Sequence, residues 1–223
     1  MSIHDGHRAR LKKQFAENGL DSFNDHRILE LLLFYSIPRQ DTNTVAHELI
    51  NHFGSLEGVF DATEDELMKV CGVGENTATL IRLIPAISRR CAINATQSCV
   101  ELHSSEDAGA YLIPRFLYER DEVFFAVCLD ARGRILCCKE LSRGVVNNTE
   151  VSVRKITELA LLKNAAGVII AHNHTGGFAM PSAEDEYATD CIKRALKRMN
   201  IELIDHIIVA GNDFISMKDS GRM

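Results

Sequence analysis

The sequence lacks several features that define large classes of protein. Tryptophan is absent, only four prolines occur in 223 residues, and no cysteine pair has the Cys-x-x-Cys spacing. The missing pairs argue against a zinc ribbon. No apolar run approaches the roughly 20 residues that cross a bilayer. The length and the 46% share of hydrophobic residues predict a globular protein of one or two domains.

A surplus of positive charge is also missing. Lysine and arginine number 25 against 31 aspartate and glutamate residues, which gives a formal charge of -6. Residues 1–98 and 99–223 divide this charge equally, so neither half is strongly basic. Proteins that bind nucleic acid with their whole surface are usually basic. Any contact with phosphates is therefore expected to be local.

The cysteines and the first residues both indicate a reducing, intracellular setting. Residues 1–13 are polar and are followed by no apolar signal region, so we expect a cytoplasmic protein without membrane contact. The cysteines are odd in number and lie mostly in apolar runs, which predicts buried thiols rather than disulfides. They are Cys71, Cys91, Cys99, Cys128, Cys137, Cys138 and Cys191.

The first part of the chain has the hydrophobic period of helices. Apolar residues recur at helical spacing up to about residue 98, which predicts an all-helical domain over residues 1–98. Thr63 and Glu66 predict a capping box, and Asp41 predicts another helix start. The predicted helices are Gly6–Asn18, Asp25–Ser36, Thr42–Phe53, Thr63–Val70 and Glu75–Arg90.

The second part alternates short β-rich runs with helices. This pattern predicts an α/β domain over residues 102–223, after a linker at Ala95–Ser105 that is rich in Ser, Thr and Gln. The whole chain is therefore expected to be α+β. The predicted strands are Val123–Leu129, Ile135–Glu140, Gly167–Ala171, Ile204–Val209 and Asp213–Met217, and the predicted helices are Val151–Asn164 and Ala183–Met199.

A Gly-Val-Gly turn, Gly72 to Gly74, separates two helices of the first domain. It resembles a helix-hairpin-helix motif, which contacts a nucleic-acid backbone through glycine-rich amides at a helix start, independently of sequence. The alternative is a tight interhelical turn with no ligand. Four acidic residues flank the turn, and only Lys69 and Arg82 offset them: Glu64, Asp65, Glu66 and Glu75.

The most informative segment follows the predicted strand Gly167–Ala171. His172 and His174 project to the same side of an extended chain, because side chains alternate along it. A glycine turn follows, and Ser182 then begins a helix whose first turn carries Asp185. Two imidazoles and one carboxylate suit one Zn²⁺ per chain, with a fourth position for water as in catalytic zinc sites. The same three ligands also suit Fe(II).

Part of this pattern has a purely structural explanation. Ser182 with Asp185 three residues later is also a helix N-terminus in which both residues satisfy backbone N–H groups. Capping does not explain the paired histidines. A hydrolytic site also needs a base, and Glu122 is a candidate because it begins an apolar strand, although spacing alone ranks it little above Glu150 and the charge is also typical of an ordinary strand end. The upstream carboxylates considered are Glu119, Asp121, Glu122, Glu140 and Glu150.

These motifs together resemble the RadC family over nearly the whole chain. The resemblance implies a C-terminal MPN/JAB domain with a cytidine deaminase-like fold, a mixed sheet and the JAMM metalloprotease motif. By this resemblance His172, His174 and Asp185 match the zinc ligands. Glu122 matches the catalytic glutamate, and Ser182 matches the serine that stabilises the tetrahedral intermediate. Further matches are the segments Leu141–Asn147 and Leu203–Val209.

The chain departs from the usual family pattern at two places. Thr175 and Gly176 stand where the family usually has Pro and Ser, and Ser152–Lys155 stands where it has His-Pro-Arg-Glu. The ligand set survives these changes, but contacts with substrate are expected to differ. His206, which follows Asp205 as in the family, is expected to lie in the core or behind a ligand.

The sequence therefore supports three hypotheses of function. The first is a zinc-dependent hydrolase that cleaves a peptide or isopeptide bond in a protein substrate. The second is a DNA-associated binding module that contacts DNA through Gly72 and Gly74, with the metal domain as a scaffold. The third is an iron-dependent oxygenase or a metal-dependent nuclease. The sequence leaves the natural substrate and the oligomeric state open.

Overall fold

A computed structural model describes residues 3–38, 40–96, 101–144 and 149–223. The chain divides into two compact units, Met1–Ser88 and Arg89–Met223. The division falls within the long helix Glu75–Ala95. It therefore lies before the predicted linker at Ala95–Ser105. In the described part of the chain no helix combines the length and apolar character that a membrane crossing requires.

The first unit is all-helical, as the periodicity predicts. Its core joins apolar residues from successive helices, among them Leu33, Leu49, Leu67 and Ile81, all with 0% exposure. The last helix, α6, runs into the second unit. The helices are α1 (Ile3–Asn18), α2 (Asp25–Leu33), α3 (Thr42–Phe53), α4 (Leu56–Asp61), α5 (Glu64–Leu67) and α6 (Glu75–Ala95).

Side-chain caps determine where several of these helices begin. Asp41 accepts a hydrogen bond from the Asn43 N–H at the start of α3, and Thr63 and Glu66 form the predicted capping box of α5. Both predictions are confirmed. Helix α4 was not predicted, because six residues are too few to show a helical repeat. Its start is capped by Ser55, which accepts from the Gly58 N–H at 3.0 Å.

The two glycines of the hairpin have different structural roles. Gly72 has φ of +88°, and a Cβ atom there would lie 2.8 Å from Cγ2 of Val45. Gly74 lacks positive φ, and its Cβ would meet no atom within 4 Å. The Gly74 carbonyl accepts from the N–H groups of Thr77 and Ala78 at the start of α6. The fold thus requires glycine at position 72 but not at position 74.

The second unit contains a mixed five-stranded sheet of order β2-β1-β3-β4-β5. Strand β1 is antiparallel to β2 and β3, β3 is parallel to β4, and β4 is antiparallel to β5. The α+β class and the mixed sheet are as predicted. The elements are α7 (Ser105–Phe116), β1 (Val123–Leu129), β2 (Ile135–Arg143), α8 (Thr149–Leu162), β3 (Gly167–Asn173), α9 (Ala183–Lys197), β4 (Glu202–Ala210) and β5 (Asp213–Ser216).

Helices cover both faces of this sheet. Every residue of β1 and β3 is buried, which explains why these strands are apolar runs without an alternating pattern. Val127 and Ile169 belong to the core on the α7 side, whereas Phe124 and Ile170 pack with residues of α8 and α9. Because side chains alternate, His172 shares the α9 side with Ile170.

Helix α7 was not predicted and lies partly in the expected linker. Ser104 and Asp107 form a capping box at its start. Gly109 and Pro114 within it weaken the helical signal of the sequence. Gly109 is needed for packing, because a Cβ there would lie 2.5 Å from the Phe214 ring. Tertiary packing therefore overrides local propensity in this helix.

The expectation of buried thiols is wrong for two cysteines. Cys71 and Cys91 are exposed, because Cys71 lies in the hairpin turn and Cys91 on an outward face of α6. Cys128 is buried, and Cys137, Cys138 and Cys191 are half-buried. All of these thiols are free, and Cys99 lies outside the described residues.

Replacing Gly72 with alanine is expected to destabilise the first unit. Positive φ at a residue with a side chain costs about 1–2 kcal/mol of free energy, and crowding against Val45 adds to this cost. Gly74→Ala is the matched control, with an expected change within about 0.5 kcal/mol. Urea denaturation measures both values. Equal losses for the two variants would contradict this assignment.

Candidate metal centre

Three potential metal ligands lie together at the end of β3. Nε2 of His172 lies 2.9 Å from Nε2 of His174 and 3.2 Å from Oδ1 of Asp185. Nε2 of His174 lies 3.5 Å from Oδ2 of Asp185. Within the described residues this is the one group of three or more His, Cys, Asp or Glu side chains with donor atoms so close, all within 4.8 Å.

The sheet fixes the two histidines. His172 pairs with Phe124 of β1 and with Ile208 of β4, so its backbone is held on both sides. His174 lies just beyond β3, but its N–H donates to the Val209 carbonyl at 2.9 Å and continues the strand pairing. The side chain of His172 is 4% exposed and that of His174 is 23% exposed. One imidazole is therefore enclosed, while the other faces the solvent side of the site.

Asp185 is held by the start of α9. Ser182 and Asp185 form a reciprocal capping box. The Asp185 N–H donates to Oγ of Ser182, while the Ser182 N–H and hydroxyl donate to Oδ2 of Asp185 at 2.8 and 2.7 Å. The capping role considered from the sequence is thus present. It uses Oδ2 and leaves Oδ1 directed at His172.

The environment of Asp185 favours its ionised form. Burial alone would raise the pKa of this carboxyl, but the adjacent His172 ring and the hydrogen bonds from Ser182 outweigh that effect. The pKa of Asp185 therefore lies well below its ordinary value. A carboxylate that stays charged beside two imidazoles is suited to bind a cation.

A second layer of polar groups lies behind His172. Nδ1 of His172 lies 2.9 Å from Nε2 of His206, and Nδ1 of His206 lies 2.6 Å from the hydroxyl of Thr189. Burial and the nearby His172 ring lower the pKa of His206 well below its ordinary value, so its ring is neutral. His206 therefore lies both in the core and behind a candidate ligand, as the sequence predicts. Thr189 was not identified from the sequence.

The three candidate ligands line an open cavity of about 830 Å³. Glu122, which immediately precedes β1, lines the same cavity. Ser182 and Glu184 contribute from the start of α9. The structure thus brings together all five residues that the sequence nominated for the site: Glu122, His172, His174, Ser182 and Asp185.

Two of the other upstream carboxylates are engaged in ion pairs with arginines. Glu119 forms ion pairs with Arg89, at 2.7 Å, and with Arg143. Glu140 pairs with Arg143 at 3.0 Å. The side chain of Glu150 lies outside the described residues. These pairings favour Glu122 among the upstream carboxylates, because it lines the cavity.

Asn173, between the two histidines, positions the Glu122 backbone. Its Oδ1 accepts from the Val123 N–H at 2.7 Å, and its Nδ2 donates to the Asp121 carbonyl at 3.0 Å. Asn173 is only 5% exposed. The amide group thus holds the residues on both sides of Glu122. Sequence reasoning missed this residue, because its partners are about 50 positions away in the chain.

The residues that depart from the family pattern lie at or near the cavity. Ser152, Thr175 and Gly176 line it. Nζ of Lys155 donates to the Leu141 carbonyl at 2.8 Å, which ties this exposed lysine to β2. The substitutions therefore alter the cavity wall and leave the three candidate ligands in place.

The donor set fits zinc. Ligand atoms about 2.0–2.2 Å from a common tetrahedral ion are separated by roughly 3.3 Å. The separations of the nearest donor atoms, 2.9, 3.2 and 3.5 Å, lie around that value, with Oδ1 of Asp185 nearest to His172 and Oδ2 nearest to His174. Two imidazoles and one carboxylate are also ligand types that zinc accepts in catalytic sites. The residues present are therefore compatible with the group that the family resemblance implies.

Comparison with known proteins identifies the family. Residues 102–222 match the family model described as RadC-like JAB domain, which covers more than half of the chain. The chain belongs to the RadC family. Residues 55–84 match the helix-hairpin-helix motif. Both matches confirm the resemblances noted in the sequence, and they relate the second unit to domains of the JAMM type within a superfamily of hydrolases.

Relatives of the RadC chain match it over almost the full length. A UPF0758 protein of Fusobacterium nucleatum is 34% identical over 97% of this chain and 96% of the relative. A UPF0758 protein of Herminiimonas arsenicoxydans is 30% identical over 96% of each. One from Burkholderia cenocepacia is 32% identical over 95% of this chain and 82% of the relative. Their names state no substrate.

Replacing Asn173 with alanine is expected to lower the free energy of unfolding by about 1–3 kcal/mol, because the buried Val123 N–H and the Asp121 carbonyl lose their partner. The exposed neighbour Thr175→Ala is the control, with a change within about 0.5 kcal/mol. Urea denaturation gives both values, and the NMR shift of the Glu122 amide reports its displacement. An unchanged shift with unchanged stability would refute the positioning role.

Proposed function

We propose that this RadC protein is a zinc-dependent hydrolase of the JAMM type that cleaves a peptide or isopeptide bond. His172, His174 and Asp185 would hold one Zn²⁺ per chain. The observation that carries the proposal is the convergence of these three donor groups, within 4.8 Å, in a cavity that Glu122 also lines. A carboxylate beside an open three-ligand site is the arrangement that metal-assisted hydrolysis needs.

The residues of the chain have distinct roles in this proposal. When bound, zinc supplies Lewis-acid chemistry and lowers the pKa of water toward about 7. Glu122 accepts a proton from the attacking water and passes it to the leaving amine. The Ser182 hydroxyl hydrogen-bonds the oxyanion that forms on the substrate carbonyl.

The capping interactions allow Ser182 to take this role. Its hydroxyl now donates to Oδ2 of Asp185, so it must turn toward the substrate during the reaction. The Ser182 N–H also donates to the same Oδ2 at 2.8 Å. Asp185 therefore stays attached to the helix start when the hydroxyl turns away.

The cavity wall suits an extended polypeptide. Gly176 and Gly177 lie beside the candidate ligands, and a Cβ at either would meet no atom within 4 Å. This loop leaves open space where a side chain would otherwise stand. A peptide backbone can therefore approach the candidate ligands from this side, which supports a peptide or protein substrate.

Replacing Glu122 with glutamine is expected to abolish turnover and leave zinc binding intact, because glutamine keeps the shape but cannot accept a proton. Loss of a general base costs about 10²–10⁴-fold in rate. Zinc-loaded protein is assayed with a mixture of quenched-fluorescent peptides and with a lysine ε-linked isopeptide.

The matched control is Glu184→Gln, which neutralises another carboxylate of the same cavity. We expect its activity to stay within about threefold of wild type, far from the loss that removal of a general base causes. Equal rates for Glu122→Gln and wild type would remove Glu122 from the mechanism. Failure of the wild type to cleave any probe would contradict the peptidase proposal.

Iron is the alternative to zinc at this site. Two histidines and a carboxylate also bind Fe(II) in oxygenases. We favour zinc because the family match is to JAB domains. Elemental analysis of the purified protein separates the two metals, and iron at one equivalent with no zinc would overturn this choice.

The free thiols support a cytoplasmic location. Cys71 and Cys91 are exposed and unpaired by disulfides, and such thiols persist in reducing compartments. These thiols support our proposal of a cytoplasmic location.

A second candidate function is sequence-independent contact with DNA, in which the metal domain is a scaffold or a nuclease. The helix-hairpin-helix match over residues 55–84 favours it. The charge around the hairpin limits it, because the Arg82 guanidinium donates to the carbonyls of Phe60, Asp61 and Ala62. Lys69 remains as the nearby cation. Contact would rest on the amides after Gly74.

DNA affinity should fall with rising salt. A plot of the logarithm of affinity against the logarithm of salt concentration should have a shallow slope, because few phosphates are neutralised. Lys69→Ala should reduce that slope by about 1. Gly74→Ala should weaken binding without unfolding the protein, since only close backbone approach is lost. Fluorescence anisotropy with a short duplex measures these effects. Absence of binding at low salt would exclude the hairpin as a DNA site, and cleavage that a chelator stops would indicate a nuclease.

A further inference from the structure

A continuous chain of hydrogen bonds connects the start of α9 to the buried side of His172. It runs from the Asp185 carbonyl to the Thr189 hydroxyl, then to His206 and then to Nδ1 of His172. Thr189 and His206 are each 1% exposed, so water does not compete for these bonds. The position of one hydrogen determines which group donates and which accepts in each of these hydrogen bonds.

That proton belongs to the Thr189 hydroxyl. Its Oγ1 lies 2.5 Å from the Asp185 carbonyl oxygen, and a carbonyl can only accept. The hydroxyl must therefore donate to this carbonyl, four residues earlier in α9. The Met217 sulfur, at 3.6 Å, is a weaker competing acceptor. Since a hydroxyl has one hydrogen, Thr189 can only accept from His206.

The same reasoning orders the two imidazoles. His206 must carry its hydrogen on Nδ1 to donate to Thr189. Its Nε2 is then a bare acceptor, because a neutral imidazole has one N–H. His172 consequently donates from Nδ1, and its own Nε2 keeps a free lone pair. That lone pair lies in the candidate metal site, because Nε2 of His172 is 2.9 Å from Nε2 of His174 and 3.2 Å from Oδ1 of Asp185.

We propose that Thr189 and His206 are positioning residues that fix the tautomer and ring orientation of His172, so that Nε2 is always presented as a metal ligand. This proposal rests on the metal-binding function proposed above. Outer partners of this kind orient metal-binding histidines and raise their basicity. The packed Phe124 ring, 6.3 Å from the His172 centroid and nearly parallel to it, supports the same orientation.

The other histidine shows a contrast. Within the described part of the chain, no hydrogen bond to Nδ1 of His174 is found, and this side chain is 23% exposed. His172 is therefore the preset ligand, whereas His174 can rotate. Loss of this relay, the hydrogen-bonded pair of Thr189 and His206, should consequently disturb the metal site through His172, although neither residue is a candidate ligand.

Two matched pairs of variants test the relay. Thr189→Val removes the hydroxyl with little change of shape, whereas Thr189→Ser keeps it. His206→Leu breaks both bonds, whereas His206→Gln offers a carbonyl to His172 and an amide hydrogen to Thr189. The first variant of each pair should lose the fixed tautomer of His172 and part of the zinc affinity, and the second should retain both. Thermal unfolding of each variant identifies any general loss of folding.

Two readouts apply to the whole protein. Nitrogen-15 NMR of the histidine rings, without metal, should show His172 with its hydrogen on Nδ1 in wild type, Thr189→Ser and His206→Gln. Zinc affinity, measured by competition with a chelator, should fall about 10- to 100-fold in His206→Leu. It should fall by a smaller factor in Thr189→Val and stay within about threefold of wild type in both rescue variants, below the loss expected for a missing outer partner.

The outcomes separate this proposal from the metal function. An unchanged His172 tautomer and unchanged zinc affinity in Thr189→Val would overturn the relay, even if His206→Leu does not fold. Equal affinity losses in Thr189→Val and Thr189→Ser would do the same, because the hydroxyl would then be irrelevant. Wild-type protein that binds no zinc but shows the expected tautomer would refute the metal function and leave the hydrogen-bond order correct.

Discussion

The pairing of β3 with β1 on one side and β4 on the other determines where the two candidate histidine ligands lie. It holds His172 opposite Phe124 and beside Ile208, and it extends to His174 through the Val209 carbonyl. Because β1 begins at this end of the sheet, the same pairing brings Glu122 to the cavity. A fully buried strand with a neighbour on each side thus supports the site, which suits accurate placement of ligands.

The start of α9 combines a structural and a chemical role. Oδ2 of Asp185 satisfies the Ser182 N–H, as any helix cap does, while Oδ1 faces His172 and Oδ2 also lies 3.5 Å from Nε2 of His174. The sequence alone leaves open whether Asp185 caps the helix or serves as a ligand. In the structure its position is compatible with both roles. Helix stability and the position of a candidate ligand therefore depend on the same carboxylate.

Local patterns were sufficient to predict some parts of this protein and not others. The buried strands and the segment from His172 to Asp185 have signals within a few residues, and the structure brings the nominated side chains into one cavity. Asn173, Thr189 and His206 could not be linked from spacing, because their partners come from separate strands or helices. Helix α7 was missed because Gly109 and Pro114 obscure its period, although its Ser104 capping box was readable. The exposure of Cys71 and Cys91 depends on packing that composition does not reveal.

The central claim is that the three donor groups at the end of β3 form a metal site facing Glu122. An anomalous difference map at the zinc absorption edge, from a crystal of the zinc-loaded protein, tests it most directly. We expect one strong peak between Nε2 of His172, Nε2 of His174 and Oδ1 of Asp185, with Glu122 facing the remaining coordination position. A map without a peak at this position, with the three side chains joined only by hydrogen bonds, would contradict the account.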